Sequence, residues 1–135
     1  MKMIFFGILL LPLSLFAQNT ISVHVKNVDS TNGHVSVALY DSDETFLSFD
    51  GVLKTGSVPA REGVVTLQIA DLPIGEYAVA VFHDENGNGK LDTNWLGIPK
   101  EKVAFSRAKM HTFGPPKYKE CAFKVTSDYE ISIDL

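Results

Sequence analysis

Apolar and polar residues alternate along most of this chain with a period of two. Ile21, Val23 and Val25 are interleaved with Ser22, His24 and Lys26, and the same rhythm returns at Val35, Val37 and Leu39 after a turn at Asn32 and Gly33. Val65, Leu67 and Ile69 follow a loop carrying Pro59 and Gly63, Cys121, Phe123 and Val125 alternate further on, and Ile131, Ile133 and Leu135 come last. An extended chain points successive side chains to opposite faces, so each run predicts a strand with one buried face. Residues 77–82, YAVAVF, are apolar on both faces, which predicts a central strand covered on both sides. With a weaker strand over residues 52–58, the pattern predicts an all-β fold: a single β-sandwich of about seven mostly antiparallel strands, immunoglobulin-like or prealbumin-like. Nothing after residue 17 sustains a helical period.

Residues 1–17, MKMIFFGILLLPLSLFA, combine an early lysine, an apolar run and a small residue at Ala17 before polar Gln18 and Asn19. That is the layout of a secretory signal peptide. The run from Met3 to Ala17 is 15 residues, short of the about 20 that a spanning helix needs. The expected organisation is a signal peptide over 1–17 and one β-sandwich domain over 18–135, exported to the periplasm or beyond, with no membrane span in the processed chain. Removing residues 1–17, which carry one lysine and no acid, takes the formal charge from -4 to -5. A mildly acidic surface argues against nucleic acid as a partner. With a single cysteine, Cys121, no intramolecular disulfide can form, and stability must come from core burial with whatever a bound ion adds.

The densest chemistry lies in HDENGNGKLD, residues 83–92. Asp84, Asn86 and Asn88 occupy alternate positions 1, 3 and 5 of a calcium-type loop, Gly89 stands at the sharp turn, Lys90 offers its carbonyl at position 7, and Asp92 falls at 9. A short segment can wrap a hard cation only if alternate side chains point inward and a glycine reverses the backbone. Position 12 is Trp95, which cannot supply the usual closing carboxylate, so a bidentate ligand would have to come from Glu85, Asp41, Asp43 or Glu101. With few charged ligands the affinity expected is roughly 10⁻⁴ to 10⁻³ M, as in extracellular modules. Asn-Gly is also a strong signal for a plain hairpin turn, and both alternatives stand on the sequence.

Residues 93–120 show little regular pattern and carry Trp95, Phe105, His111, Phe113 and Tyr118, with a stiff Phe113-Gly114-Pro115-Pro116 turn. Loops this long are functional or hide structure. Trp95, His111, Phe113 and Tyr118 are therefore candidates for a binding surface toward an envelope protein or a glycan, set against the alternative that these aromatics cap the open end of the sandwich.

Enzymatic signatures are sparse. The four histidines are scattered, without a His-x-x-x-His pair or a second thiol, and no serine stands in a Gly-x-Ser-x-Gly turn. Cys121 alternates with apolar neighbours and is expected to be a buried small hydrophobe. The favoured reading is a non-enzymatic, calcium-stabilised binding or structural module with no catalytic residues. The alternative is a small periplasmic hydrolase with a calcium-ordered pocket and His83 or His111 as base.

The phrase DLPIGEYAV, residues 71–79, resembles a turn-to-strand phrase of transthyretin-like sandwiches, and implies only the fold. More specifically, GEYAVAVFHDENGNGKLDTNWLGIPKE (75–101), AFS (104–106) and FGPP (113–116) together resemble the exported bacterial family known as domain of unknown function 2141. The resemblance implies a secreted or periplasmic β-sandwich with no established activity. Arg107-Ala108-Lys109-Met110 departs from the asparagine-rich phrase expected there, whereas the calcium-like residues match.

Overall fold

The computed structural model describes residues 18–135; the expected signal peptide lies outside them. Eight strands form, in the order β1 (Asn19–Val28), β2 (His34–Tyr40), β3 (Lys54–Pro59), β4 (Gly63–Leu72), β5 (Gly75–Asp84), β6 (Val103–Phe105), β7 (Phe123–Val125) and β8 (Tyr129–Asp134), with one short helix α1 (Tyr118–Cys121). They make a sandwich of a 3-stranded sheet, β4-β1-β8, and a 5-stranded sheet, β3-β2-β5-β6, with β7 paired to the start of β5. All pairings are antiparallel except β1 with β8, which is parallel.

The period of two becomes the core directly. Ile21, Val23 and Val25 of β1 and Val65, Leu67 and Ile69 of β4 meet Val35, Val37 and Leu39 of β2 and Tyr77, Val79 and Val81 of β5 between the sheets. Burying a side chain of this size contributes on the order of 1.5–3 kcal/mol, which makes this layer the main source of stability. The other face of β5 explains why residues 77–82 are apolar on both sides: Ala78 packs with Phe105, Tyr118, Cys121 and Ala122 in a second core outside the 5-stranded sheet. Phe46, from the β2–β3 connection, joins edge-on to Tyr40, Phe105 and Tyr118, with ring centroids 5.3, 6.5 and 5.7 Å away.

Several expectations change in detail. The stretch between the acidic loop and β7 is not irregular: it contributes β6, which extends the 5-stranded sheet. Cys121 ends α1 instead of opening a strand, because Tyr118 and Cys121, three residues apart on a helical turn, both reach the second core. Phe105 and Tyr118 cover the outer face of a sheet and do not cap the end of the sandwich. Tyr118 is 7% exposed, its hydroxyl donates to the Glu76 carbonyl at 3.3 Å, and burial pushes its phenol up to about 12. It is a core residue, not part of a presented surface.

Candidate metal centre

The acidic loop begins where β5 leaves the sheet. Asp84 is the last residue of that strand and is 2% exposed, and the chain after it is wound by its own side chains. The Asp84 carboxylate accepts the N–H of Asn88 through Oδ1 at 3.2 Å and that of Gly89 through Oδ2 at 2.8 Å. Asn86 Oδ1 accepts from Asn88 N at 3.2 Å and Asn88 Oδ1 from Lys90 N at 2.9 Å. Gly87 and Gly89 take φ of +67° and +76°, values an L side chain rarely adopts. Successive side-chain turns of this kind wind the chain tightly around its own Asp and Asn side chains.

Asp92 closes the ring. Asn86 Nδ2 donates to its Oδ2 at 2.6 Å, and Asn88 Nδ2 donates to Oδ1 and Oδ2 at 2.9 and 3.1 Å. Those amide contacts hold the Asp92 carboxyl below the usual carboxylate range, the Asn88 bond most strongly. A carboxylate has about four lone-pair sites and an amide oxygen two, so each oxygen keeps acceptor capacity beyond the N–H it receives.

Glu101 brings a further carboxylate to the same place. Residues 93–99 form a tight hairpin, with Thr93 bridged to Pro99, Asn94 N bonded to the Ile98 carbonyl at 2.9 Å and Lys100 N to the Asp92 carbonyl at 2.8 Å. Asn94 Oδ1 caps its tip by accepting Leu96 N and Ile98 N at 2.9 and 3.0 Å. Closing the hairpin returns the chain to Asp92, where Glu101 Oε2 accepts the Asp92 N–H at 3.2 Å. Glu101 Oε1 is buried without a hydrogen-bond partner among the described residues. Desolvation, then the charges of Asp92 and Asp84, raise the Glu101 carboxyl above its ordinary value.

Of the four carboxylates left open by the sequence, Glu101 is therefore the one beside the loop. Glu85 turns to His83, while Asp41 and Asp43 lie near Tyr77 and Tyr118. Trp95, at the position where a twelfth-residue ligand would stand, instead rides the hairpin at 91% exposure, with Leu96 and Ile98 at 61% and 55%. Leu96 and Ile98 were not among the residues singled out from sequence; the Asn94 and Gly97 flanking them were the available turn signal.

The remaining candidates separate. Phe113 is fully exposed on the turn bridged by His111 and Gly114. His111 is exposed and pairs through Nε2 with Glu120 Oε1 at 3.0 Å. His83 is completely buried and closed to a substrate. Burial pushes the Cys121 thiol up to about 11, and Ser106 is fully buried, its Oγ accepting Val79 N at 2.9 Å and donating to the Cys121 carbonyl at 2.7 Å. Two surface hollows, one along β1 and β8 at Thr20, Ser22 and Glu130 and one across β3 and β4 at Ser57 and Thr66, are lined by no histidine.

Residues 23–133, which take in both sheets, the acidic loop and the hairpin, match the profile of a family described as an uncharacterized protein conserved in bacteria, DUF2141. The chain belongs to this family. No curated protein and no solved structure matches it. The DUF2141 match thus spans every candidate ligand, and Asp84, Asn86, Asn88, Lys90, Asp92 and Glu101 all stand within it.

Proposed function

We propose that this protein is an exported, non-enzymatic β-sandwich of the cell envelope, in which residues 84–92 and Glu101 bind calcium and thereby stiffen the 93–99 hairpin that offers Trp95 to an envelope protein or glycan. The observation that carries the proposal is Glu101 Oε1, a buried carboxylate oxygen without a hydrogen-bond partner among the described residues, on a side chain whose other oxygen accepts the Asp92 N–H and which feels the charges of Asp92 and Asp84. An unpaired buried carboxylate oxygen is costly, and a hard cation is the partner that suits several converging oxygens. The Asn86 and Asn88 amides now donate to Asp92; offering oxygens to a cation would require turning them, at the expense of the bonds their Oδ1 atoms accept from Asn88 N and Lys90 N. Calcium would then tie Asp84 at the end of β5 to Glu101 near the start of β6, holding both feet of the hairpin.

The test is the melting temperature of the purified protein in millimolar calcium and in chelator. A ligand bound only by the folded state, at about 10 times its Kd, adds about 1.4 kcal/mol, which shifts melting by on the order of 5 °C. The shift is expected to vanish in Asp84→Ala. Equal melting in calcium and chelator would reduce residues 84–92 to a side-chain-capped turn.

A further inference from the structure

His83 and Asp84 are consecutive at the end of β5, and a strand sends consecutive side chains to opposite sides. Asp84 enters the acidic loop; His83 and Glu85 turn the other way, toward the β1–β2 turn. There the His83 imidazole is fully buried, and its Nε2–H donates to the Asn32 carbonyl at 2.8 Å. A carbonyl only accepts, so Nε2 carries a proton, and Nδ1 is the nitrogen left to face a ligand. Nδ1 has no hydrogen-bond partner among the described residues. It faces Asp29 Oδ1 and Glu85 Oε1, each 3.8 Å away, too far for a hydrogen bond. The three atoms lie within 4.8 Å of one another.

We propose that Asp29, His83 and Glu85 form a second metal site, at the start of the acidic loop and on the side away from the Asp84 carboxylate, that takes a divalent transition ion of the zinc type. A neutral imidazole nitrogen with two carboxylates is a borderline donor set, suited to zinc and its first-row neighbours and unlike the all-oxygen shell of calcium. Ligands about 2.1 Å from a tetrahedral ion stand about 3.4 Å apart. Bringing the two Nδ1–oxygen distances from 3.8 Å to that spacing takes a few tenths of an ångström, and both carboxylates are half exposed and free to adjust toward the ion and toward each other. The supporting contacts are already in place. The Asn32 carbonyl holds the imidazole in the ligating tautomer, and Lys102 Nζ sits 2.5 Å from Asp29 Oδ2, leaving Oδ1 directed at His83. Lys102 also places a positive charge near the ion, which lowers affinity while orienting the ligand.

The experiment is a calorimetric zinc titration of the purified protein in saturating calcium, which occupies hard-cation sites, with the His83 imidazole nitrogens followed by NMR. One zinc per chain is expected, with the His83 Nδ1 resonance shifting far more than Nε2. Asp29→Asn and Glu85→Gln, both at exposed side chains and tolerated by the fold, should each weaken zinc binding about tenfold or more. His24→Asn and His111→Asn, which remove the other histidine–carboxylate pairs of the surface, should leave it unchanged. Zinc binding lost in His111→Asn, or unaltered in both Asp29→Asn and Glu85→Gln, would mark an adventitious surface ion and overturn the assignment, as would the absence of saturable binding.

Discussion

Gly33 lies so close to Asp84 that a Cβ on Gly33 would fall 1.9 Å from the Asp84 carbonyl oxygen and 2.8 Å from the Glu85 carbonyl. Its φ of +64° is one that only glycine adopts freely. This contact seats the β1–β2 turn on the end of β5 and brings the Asn32 carbonyl to His83. Gly33→Ala must therefore break both a backbone conformation and a packing contact. The expected loss is about 2–5 kcal/mol, combining left-handed strain with overpacking, and urea unfolding monitored by circular dichroism would measure it. A midpoint equal to wild type would mean that the turn is free to lift away.

Glu101 gives a prediction with opposite signs in two conditions. Its carboxyl is raised in the folded protein by desolvation first and by Asp92 and Asp84 next. A carboxyl raised on folding favours the protonated state, so the calcium-free protein loses stability as pH rises from the ordinary carboxylate range through the raised value. Glu101→Gln removes that loss. In chelator at neutral pH the variant should melt slightly higher than wild type, by the about 1 kcal/mol or less that a solvent-screened charge contributes. In calcium it should melt lower, because the closing ligand is gone. Scanning calorimetry in the two buffers checks both signs.

Ser106 is a hydroxyl in the place of an apolar side chain. It joins the Val79 N–H of the central strand to the Cys121 carbonyl at the end of α1. Ser106→Ala leaves a buried donor and a buried acceptor unpaired, at a cost of about 2–4 kcal/mol. The denaturant midpoint should fall with its slope unchanged. A smaller loss would show that water enters between β5 and α1.

Trp95 is the single tryptophan of the chain, so its fluorescence reports the hairpin alone. At 91% exposure it should emit as a solvated indole and be quenched by iodide at close to the diffusion limit. Trp95→Ala should change stability by no more than about 0.5 kcal/mol. Calcium should leave the emission wavelength in place while narrowing the nanosecond motion seen in anisotropy decay, because the ion fixes the feet of the hairpin and not its tip. A blue shift on adding calcium alone would mean that the indole folds onto the sandwich.

The strands were legible because one-sided burial writes itself as alternation: the residues of β1, β2 and β4 that alternate in sequence are those between the sheets. The apolar run in β5 likewise announced a strand with cores on both faces. Three features were not legible. β6 has three residues, too few for a period. Glu101 was one of four carboxylates left open, and it is singled out only because an intervening hairpin closes, which spacing counted along the chain does not specify. Asp29 and His83 meet because β2 returns antiparallel on β5, a pairing that alternation does not specify. Local turn chemistry was readable at Asp84, Asn86 and Asn88, since each of those side chains bonds within five residues of itself.

β8 lies parallel on β1, and Thr20 N bonds Asp128 Oδ1 across 108 residues of chain. Nothing local nucleates that pair, since parallel neighbours cannot be joined by a tight turn. Until the last strand arrives, β1 keeps one row of unpaired N–H and C=O groups open, an edge that another extended chain can join. Closing so long a loop is slow. The interval between synthesis of β1 and delivery of β8 is thus the stage at which this protein is most exposed to aggregation, and the one at which a chaperone would have the most to protect.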